Sequence, residues 1–253
     1  MIKIHTPKSH PRYLSQLYRD LLADGVETGV TSLQGMTAHG RAETFDYLIG
    51  EKTYPFAKSA IDAAAALLVL AKHPVISVNG NTAALVAKEF VELGKLIGNN
   101  LEVNLFHASK EREKKIKEHL IKNGAVKILM PGKGRIVGIE SNRRMISEEG
   151  QSIADVVFVP LEDGDRTAAL EKMGKRVITV DLNPLSRTAQ TATITIVDHV
   201  NRALPLLITR VKVFKKFTHE KLEKIIREFN NKKVLSESMI HIQKRLQTLA
   251  LQK

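Results

Sequence analysis

Between residues 74 and 203, short apolar runs alternate with longer stretches in which apolar residues recur every three or four positions. The short runs are Val75 to Val78, Leu101 to Phe106, Val126 to Leu129, Val156 to Val159, Val177 to Val180 and Ile194 to Val197. They are brief and rich in β-branched residues, which predicts strands, and the run Ala154-Asp155-Val156-Val157-Phe158-Val159 reads as one buried on both faces. Helical spacing fills the intervals at Thr82 to Ile97, at Lys110 to Asn123 and in a segment ending at Gly174. Repeated βα units with short connections predict an α/β protein: a Rossmann-like, mostly parallel sheet with helices on both faces.

The flanks read differently. Pro11 stands at a helix start, followed by Tyr13, Leu14, Leu17, Tyr18, Leu21 and Leu22 on one face, and a second long helix is expected from Phe56 to Ala71. Gly25, Gly29 and Gly35 punctuate the intervening turns, and His39 and Arg41, beside Gly40, are expected at a helix start. After the strands, Leu222, Ile225, Ile226 and Phe229, then Val234, Leu235, Met239, Ile242, Leu246 and Leu249, keep helical spacing. The division is a helical N-terminal region 1–73, a βα core 74–203 and amphipathic basic helices 204–253, all within one domain 1–253. Residues 131–152 break the alternation with a long loop whose Lys133, Arg135, Arg143 and Arg144 are available to an anionic ligand.

Charge sharpens the reading of the tail. The chain carries a formal net charge of +12, and residues 210–253 hold twelve Lys or Arg against four Glu, so +8 of that excess lies there. Aromatics make up 5% of the chain and no base-stacking module is present, so solvated basic faces on amphipathic helices explain the tail better than nucleic-acid binding. The absence of cysteine excludes disulfides, thiolate nucleophiles and zinc–thiolate sites. The longest apolar run, Ala63 to Ala71, is far short of the ~20 residues a membrane helix needs, and no apolar leader is visible; a soluble cytoplasmic protein without membrane contact is expected.

Three stretches carry candidate chemistry. In VPLEDGDRT, residues 159–167, Glu162, Asp163 and Asp165 follow a buried strand, where an open parallel sheet places its ligand crevice, although Asp165 could simply cap the next helix. In SVNGNTAAL, residues 77–85, Asn79, Gly80 and Asn81 join a strand to a helix, whose exposed N–H groups favour an anion from a substrate. In TVDLNPLSRTAQTA, residues 179–192, Asp181 can accept ribose hydroxyls and Ser186, Arg187 and Thr188 can donate to phosphate, or the stretch is an Asn-Pro turn with caps. Neither GxGxxG nor GxxxxGK[ST] occurs, which counts against a nicotinamide-dependent oxidoreductase. From the residues alone the chain is an α/β protein for an anionic, nucleotide-like ligand.

Taken together, PKSHPRY…LYR, AHGRAETFDYLIGE, ISVNGN, VVFVPLEDGDRT and VITVDLNPLSRTA…ITIVD resemble the archaeal phosphopantothenate synthetases, the 4-phosphopantoate–β-alanine ligases of coenzyme A biosynthesis, over residues 7–203. The resemblance implies a homodimer of Rossmann-like subunits that uses ATP to join 4-phosphopantoate to β-alanine, releasing AMP and pyrophosphate. It implies ATP contacts at Arg19, Arg41, Asp181, Leu182, Asn183, Arg187, Thr188, His199 and Val200. Position 199 departs from the family pattern, in which asparagine is usual, so a side-chain contact there is in doubt while a backbone contact is not. Glu162, Asp163 and Asp165 then have a role in binding Mg²⁺ or the β-alanine ammonium, which must lose a proton before it attacks an activated carboxyl.

Overall fold

The computed structural model describes residues 6–106 and 108–252. Three helices come first: α1 (Tyr13–Glu27), α2 (Leu33–Ile49) and α3 (Pro55–Leu70). The sheet then begins with β1 (Pro74–Val78), α4 (Gly80–Ile97), β2 (Leu101–Val103), α5 (Lys110–Lys122) and β3 (Ile128–Leu129). A hairpin of β4 (Gly134–Arg135) and β5 (Met145–Ile146), with a 3₁₀ turn at Asn142–Arg144 between them, leads to β6 (Val156–Phe158). The chain continues through α6 (Gly164–Lys172), β7 (Arg176–Val180), α7 (Arg187–Thr191) and β8 (Ile194–Ile196), and ends in α8 (Val200–Phe214), α9 (His219–Glu228) and α10 (Asn231–Leu251).

The six-stranded sheet runs β3-β2-β1-β6-β7-β8, with every pairing parallel. That is the doubly wound Rossmann order, and its reversal falls between β1 and β6, where Ile76 sits opposite Phe158. Strand residues alternate between two cores as the pleat requires. Ile76, Val78, Val156, Phe158, Ile178 and Val180 face the larger one, shared with α3, α4 and α8. Val75, Val157 and Val177 face a smaller one, closed by Ala169 and Leu170 of α6 and by Ile136, Ile139 and Ile146. The stretch 131–152, expected as a loop, therefore supplies a second-face cover through its hairpin. α3 packs against α8, α9 and α10, so the three sequence regions share the larger core.

Several expected boundaries move. β2 ends at Val103 and β3 starts at Ile128, three residues short at one end and two at the other. Pro11 precedes Arg12, the N-cap of α1, and Gly25 lies inside that helix. The N-terminal region holds a third helix, α2, capped by Ser32 accepting from Gly35 N at 3.2 Å, so His39 and Arg41 sit mid-helix. Gly35 is tolerated within α2 because a Cβ there would lie 2.5 Å from Asn81 Oδ1; the glycine lets α2 approach α4 closely.

Candidate active site

The carboxyl ends of β1 and β6 open onto a cavity of about 240 Å³ lined by residues of α2, α4 and α5 and by Arg143 and Asp163. Asn79 caps α4 in a capping box: its Oδ1 accepts from Thr82 N at 3.0 Å while Thr82 Oγ1 accepts from Asn79 N at 3.0 Å. Its Nδ2 donates to the carbonyls of Pro160 and Leu161, both at 3.1 Å, which ties the end of β1 to the segment after β6. Asn81 accepts from Thr31 Oγ1 at 2.5 Å and donates to Gly35 O at 2.8 Å. A Cβ on Gly80 would stand 2.8 Å from Val30 O, so this glycine admits a close backbone approach, and Asn79, Gly80 and Asn81 all line the cavity. The two asparagine amides hold the rim together beside the N-terminus of α4, whose N–H groups face the cavity.

The three acids of the opening strand-end have three different settings. Glu162, with a side chain 1% exposed, is bonded through Oε1 to Arg143 Nη1 and through Oε2 to Arg166 Nη1 at 2.6 Å. Both of its oxygens are held by guanidinium groups, so Glu162 stands at the crevice as a paired, buried acid. Asp163 accepts from the same Arg143 Nη1 at 2.6 Å, but its side chain remains 49% exposed and lines the cavity. Asp165 is exposed in the first turn of α6; the N-cap is Asp163, without a side-chain cap bond, so Asp165 is not the cap.

Beneath them runs a buried polar chain that the sequence reading missed. Arg166, wholly buried, also donates to Gln151 Oε1 and to Ser77 Oγ at 3.3 Å, and burial lowers its pKa to about 10. Gln151 N and Nε2 donate to Glu102 at 2.7 and 2.9 Å, and Ser147 N does so at 3.0 Å; burial raises the Glu102 pKa against those bonds. Asn104 Nδ2 donates to the carbonyls of Arg143 and Met145, both at 3.1 Å. The 131–152 segment is thereby pinned over the sheet end, and Arg143 is fixed at the crevice. One sequence signal was there: a glutamate inside the apolar strand LEVNLF needs a buried partner.

A neighbouring cavity of about 440 Å³ is lined by His39, Arg41, Phe45, Asn81, Glu162, Asp163, Asp181, Asn183 and Ser186. Asp181 accepts from Ser186 Oγ and from Asn183 N at 2.9 Å, and burial raises its pKa. It shapes the loop that presents Asn183. Leu182 and Val200 are core residues, and Thr188 Oγ1 donates to Glu162 O at 2.7 Å, locking α7 to the acid segment. Arg187 is exposed on α7, and Arg41 is exposed at the cavity edge. Arg19 and His199 instead line a third cavity, of about 300 Å³, together with Arg12, Glu43, Asp46 and Arg202. Arg19 Nη2 is paired with Glu43 at 2.8 Å, and that bond raises its pKa. His199 is buried, caps α8 by accepting from Asn201 N at 3.3 Å, and stacks on Tyr18 at 4.5 Å. The nine expected nucleotide contacts are therefore divided: Arg41, Asp181 and Asn183 meet in one cavity, Arg19 and His199 in another, and His39 lies between, lining both.

Fold and crevice define the class: a doubly wound α/β protein, whose ligands characteristically bind across the switch point of the sheet. Residues 56–245 match the phosphopantothenate/pantothenate synthetase family, and the chain belongs to it. It is 52% identical, over 98% of its own length and 95% of the relative's, to a 4-phosphopantoate–β-alanine ligase of Thermococcus kodakarensis. A ligase of the same name from Methanosarcina mazei is 49% identical over 96% of both chains. No described helix is long and apolar enough to cross a membrane.

Proposed function

We propose that the protein is an AMP-forming ligase that condenses 4-phosphopantoate with β-alanine to give 4'-phosphopantothenate in coenzyme A biosynthesis, acting as a cytoplasmic homodimer. The observation that carries this reading is near full-length identity, 44–52%, to four ligases of that name. A carboxylate is a poor acceptor for an amine. Its attack on the α-phosphate of ATP forms an acyl-adenylate and expels pyrophosphate; the amine then attacks the acyl carbon and expels AMP. No step needs an enzyme nucleophile, so the chain's task is to orient reactants and balance charge.

In this reading ATP occupies the Asp181 cavity, with Asn183 and Ser186 toward the sugar and Arg41 toward the phosphates, and the acid lies at the α4 N-terminus. Asp163 lines both cavities and so faces the reacting groups from either side. It holds the incoming β-alanine ammonium or accepts its proton. Mg²⁺ normally keeps several waters and binds through one or two carboxylates plus substrate phosphates, so the half-exposed Asp163, with exposed Asp165 nearby in sequence, suits it without a closed protein cage. Among the described residues no cluster of three or more His, Asp or Glu could hold a metal alone. When bound, Mg²⁺ would offset phosphate charge.

Omission assays test the function. AMP and pyrophosphate should appear only when ATP, Mg²⁺, 4-phosphopantoate and β-alanine are all present, with phosphopantothenate in equal amount. Product formation from pantoate at the same efficiency would overturn the substrate assignment. Sedimentation as a monomer at assay concentration would overturn the homodimer.

A further inference from the structure

Gln151 belongs to no expected contact set, yet it stands in the middle of the buried chain beneath Asp163. It is wholly buried, in the turn that follows β5. Its amide has one workable orientation. Nε2 donates to Glu102 Oε1 at 2.9 Å, which turns Oε1 toward Arg166, whose Nη2 donates to it. Glu102 fixes that sense, because its carboxylate also accepts from Ser147 N at 3.0 Å and from Gln151 N at 2.7 Å. A flipped amide would set its carbonyl against the Glu102 carboxylate and its NH₂ against the Arg166 guanidinium. Gly150 makes room for the arrangement, since a Cβ there would collide with Glu102 Oε2.

We propose that Gln151 is a positioning residue for the ligase reaction: by joining Glu102 to Arg166 it sets, through Glu162 and Arg143, the place of the Asp163 carboxylate at the crevice. The proposal rests on the ligase reading given above and adds to it a residue that touches no reactant. Arg166 Nη1 donates to Glu162 Oε2 at 2.6 Å, Glu162 Oε1 accepts from Arg143 Nη1, and the same Nη1 donates to Asp163 Oδ2 at 2.6 Å. Carboxylate and guanidinium alternate along the chain, so a displacement at one link is felt at the next. Side chains are 1% exposed at Arg166 and Glu162, 7% at Arg143 and 49% at Asp163; the chain starts in the core and opens only at its last group. A group that faces reactants must be held within about 0.5 Å of its productive place by neighbours that are themselves locked. Gln151 locks Arg166. Without the amide, Nη2 keeps Ser77 Oγ at 3.3 Å, and the guanidinium can turn about its bond to Glu162. The segment itself would stay pinned, because Ser147 N on Glu102 and Asn104 Nδ2 on the carbonyls of Arg143 and Met145 do not involve the Gln151 side chain.

The decisive experiment is a double-mutant cycle between Gln151→Met and Asp163→Asn, read as kcat with ATP, Mg²⁺, 4-phosphopantoate and β-alanine all saturating. Methionine keeps the length of the side chain and removes both of its hydrogen bonds. Gln151→Met alone should lower kcat about ten- to hundredfold, with KM for ATP within about twofold of wild type. In the Asp163→Asn background the same substitution should cost less than about twofold, since the group it positions is already disabled. Lys175→Met supplies the comparison. Lys175 Nζ donates to Ser152 O at 3.0 Å and Ala154 O at 2.9 Å, at the end of the same segment but outside the chain, so its loss should lower the melting temperature and leave kcat unchanged. An equal loss of kcat in Lys175→Met would overturn the proposal; so would losses that multiply in the double variant, or wild-type turnover in Gln151→Met. Should Gln151→Met fail to fold, Gln151→Asn, whose amide sits on a stem too short to span Glu102 and Arg166, is carried through the same cycle with the same criteria. If wild type forms no phosphopantothenate, the ligase reading fails, and the chain is judged by solvent exchange of the Arg143 Nε–H in nitrogen-15 NMR. Exchange faster by about tenfold or more in Gln151→Met would still support the coupling; an unchanged rate would overturn it.

Discussion

Arg202 and Arg143 each bridge two carboxylates, but the surroundings they create are different. Arg202, on α8, binds Asp46 of α2 at 2.5 Å and Asp198 at 2.7 Å, and Asp198 also accepts from Thr53 Oγ1 at 2.5 Å. Both acids are buried, and together they raise the Arg202 pKa. Every charge has a partner inside, so the cluster is a clamp joining the N-terminal helices to the C-terminal ones. Arg143 satisfies buried Glu162 in the same way, yet its second acid, Asp163, stays half in solvent at the crevice. One open end separates a candidate site from a scaffold. Carboxylate count alone does not make that distinction; closure does.

The largest expected effect breaks the clamp. Arg202→Ala would leave two buried aspartates unpaired and lower the unfolding free energy by roughly 3–5 kcal/mol in urea denaturation. A loss below about 1 kcal/mol would mean the cluster is solvated after all. Next comes the open end. Asp163→Asn should lower turnover roughly 100-fold or more with little change in stability, because the amide cannot take a proton or hold a cation. Its neighbour should behave in the opposite manner: Glu162→Gln removes the charge shared by two buried guanidinium groups, so its first readout is stability. If Glu162→Gln folded normally and lost only turnover, the two acids would have to exchange roles.

Smaller effects sharpen the contrast. Arg41, exposed at the Asp181 cavity, should lose ten- to hundredfold in kcat/KM for ATP as Arg41→Ala. Arg19 is half exposed and already paired with Glu43, so Arg19→Ala should show as at most about 1 kcal/mol of stability, with any ATP effect secondary. Acid should attack the clamp side first. Burial lowers the pKa of both His39 and His199, which lie 5.3 Å apart near Arg202, Asp46 and Glu43. The unfolded chain takes up protons below about pH 6.5 that the folded chain refuses, so their stabilising contribution is present above that pH and is lost as pH falls through it toward the folded values. Melting curves should drop over that window, and His199→Asn, which keeps an N-cap, should flatten the drop. Asp165→Asn should be smallest, within about 0.5 kcal/mol and twofold in rate, as befits an exposed first-turn acid.

How much of this was legible in the chain depended on range. Val156 to Phe158 and Val177 to Val180 declared themselves because a strand buried on both faces leaves a continuous apolar run, and the sheet class followed from their repetition. α2 was hidden because Gly35 and Gly40 resemble turn signals; the need for Gly35 is set by Asn81, 46 residues away in the chain. The stretch LEDGD was rightly singled out as a strand-end cluster, but which acid is open depends on Arg143, and no local pattern connects that residue to Glu162. The Glu162–Arg166 pair, one helical turn apart, was in reach.

The acyl-adenylate route through the crevice is tested most directly by following oxygen. With 4-phosphopantoate labelled with oxygen-18 in its carboxylate, the reaction should transfer one labelled oxygen to AMP, visible as an isotope shift of the AMP phosphorus resonance, with the other retained in phosphopantothenate. Labelled inorganic phosphate accompanied by ADP, or AMP without label, would contradict it.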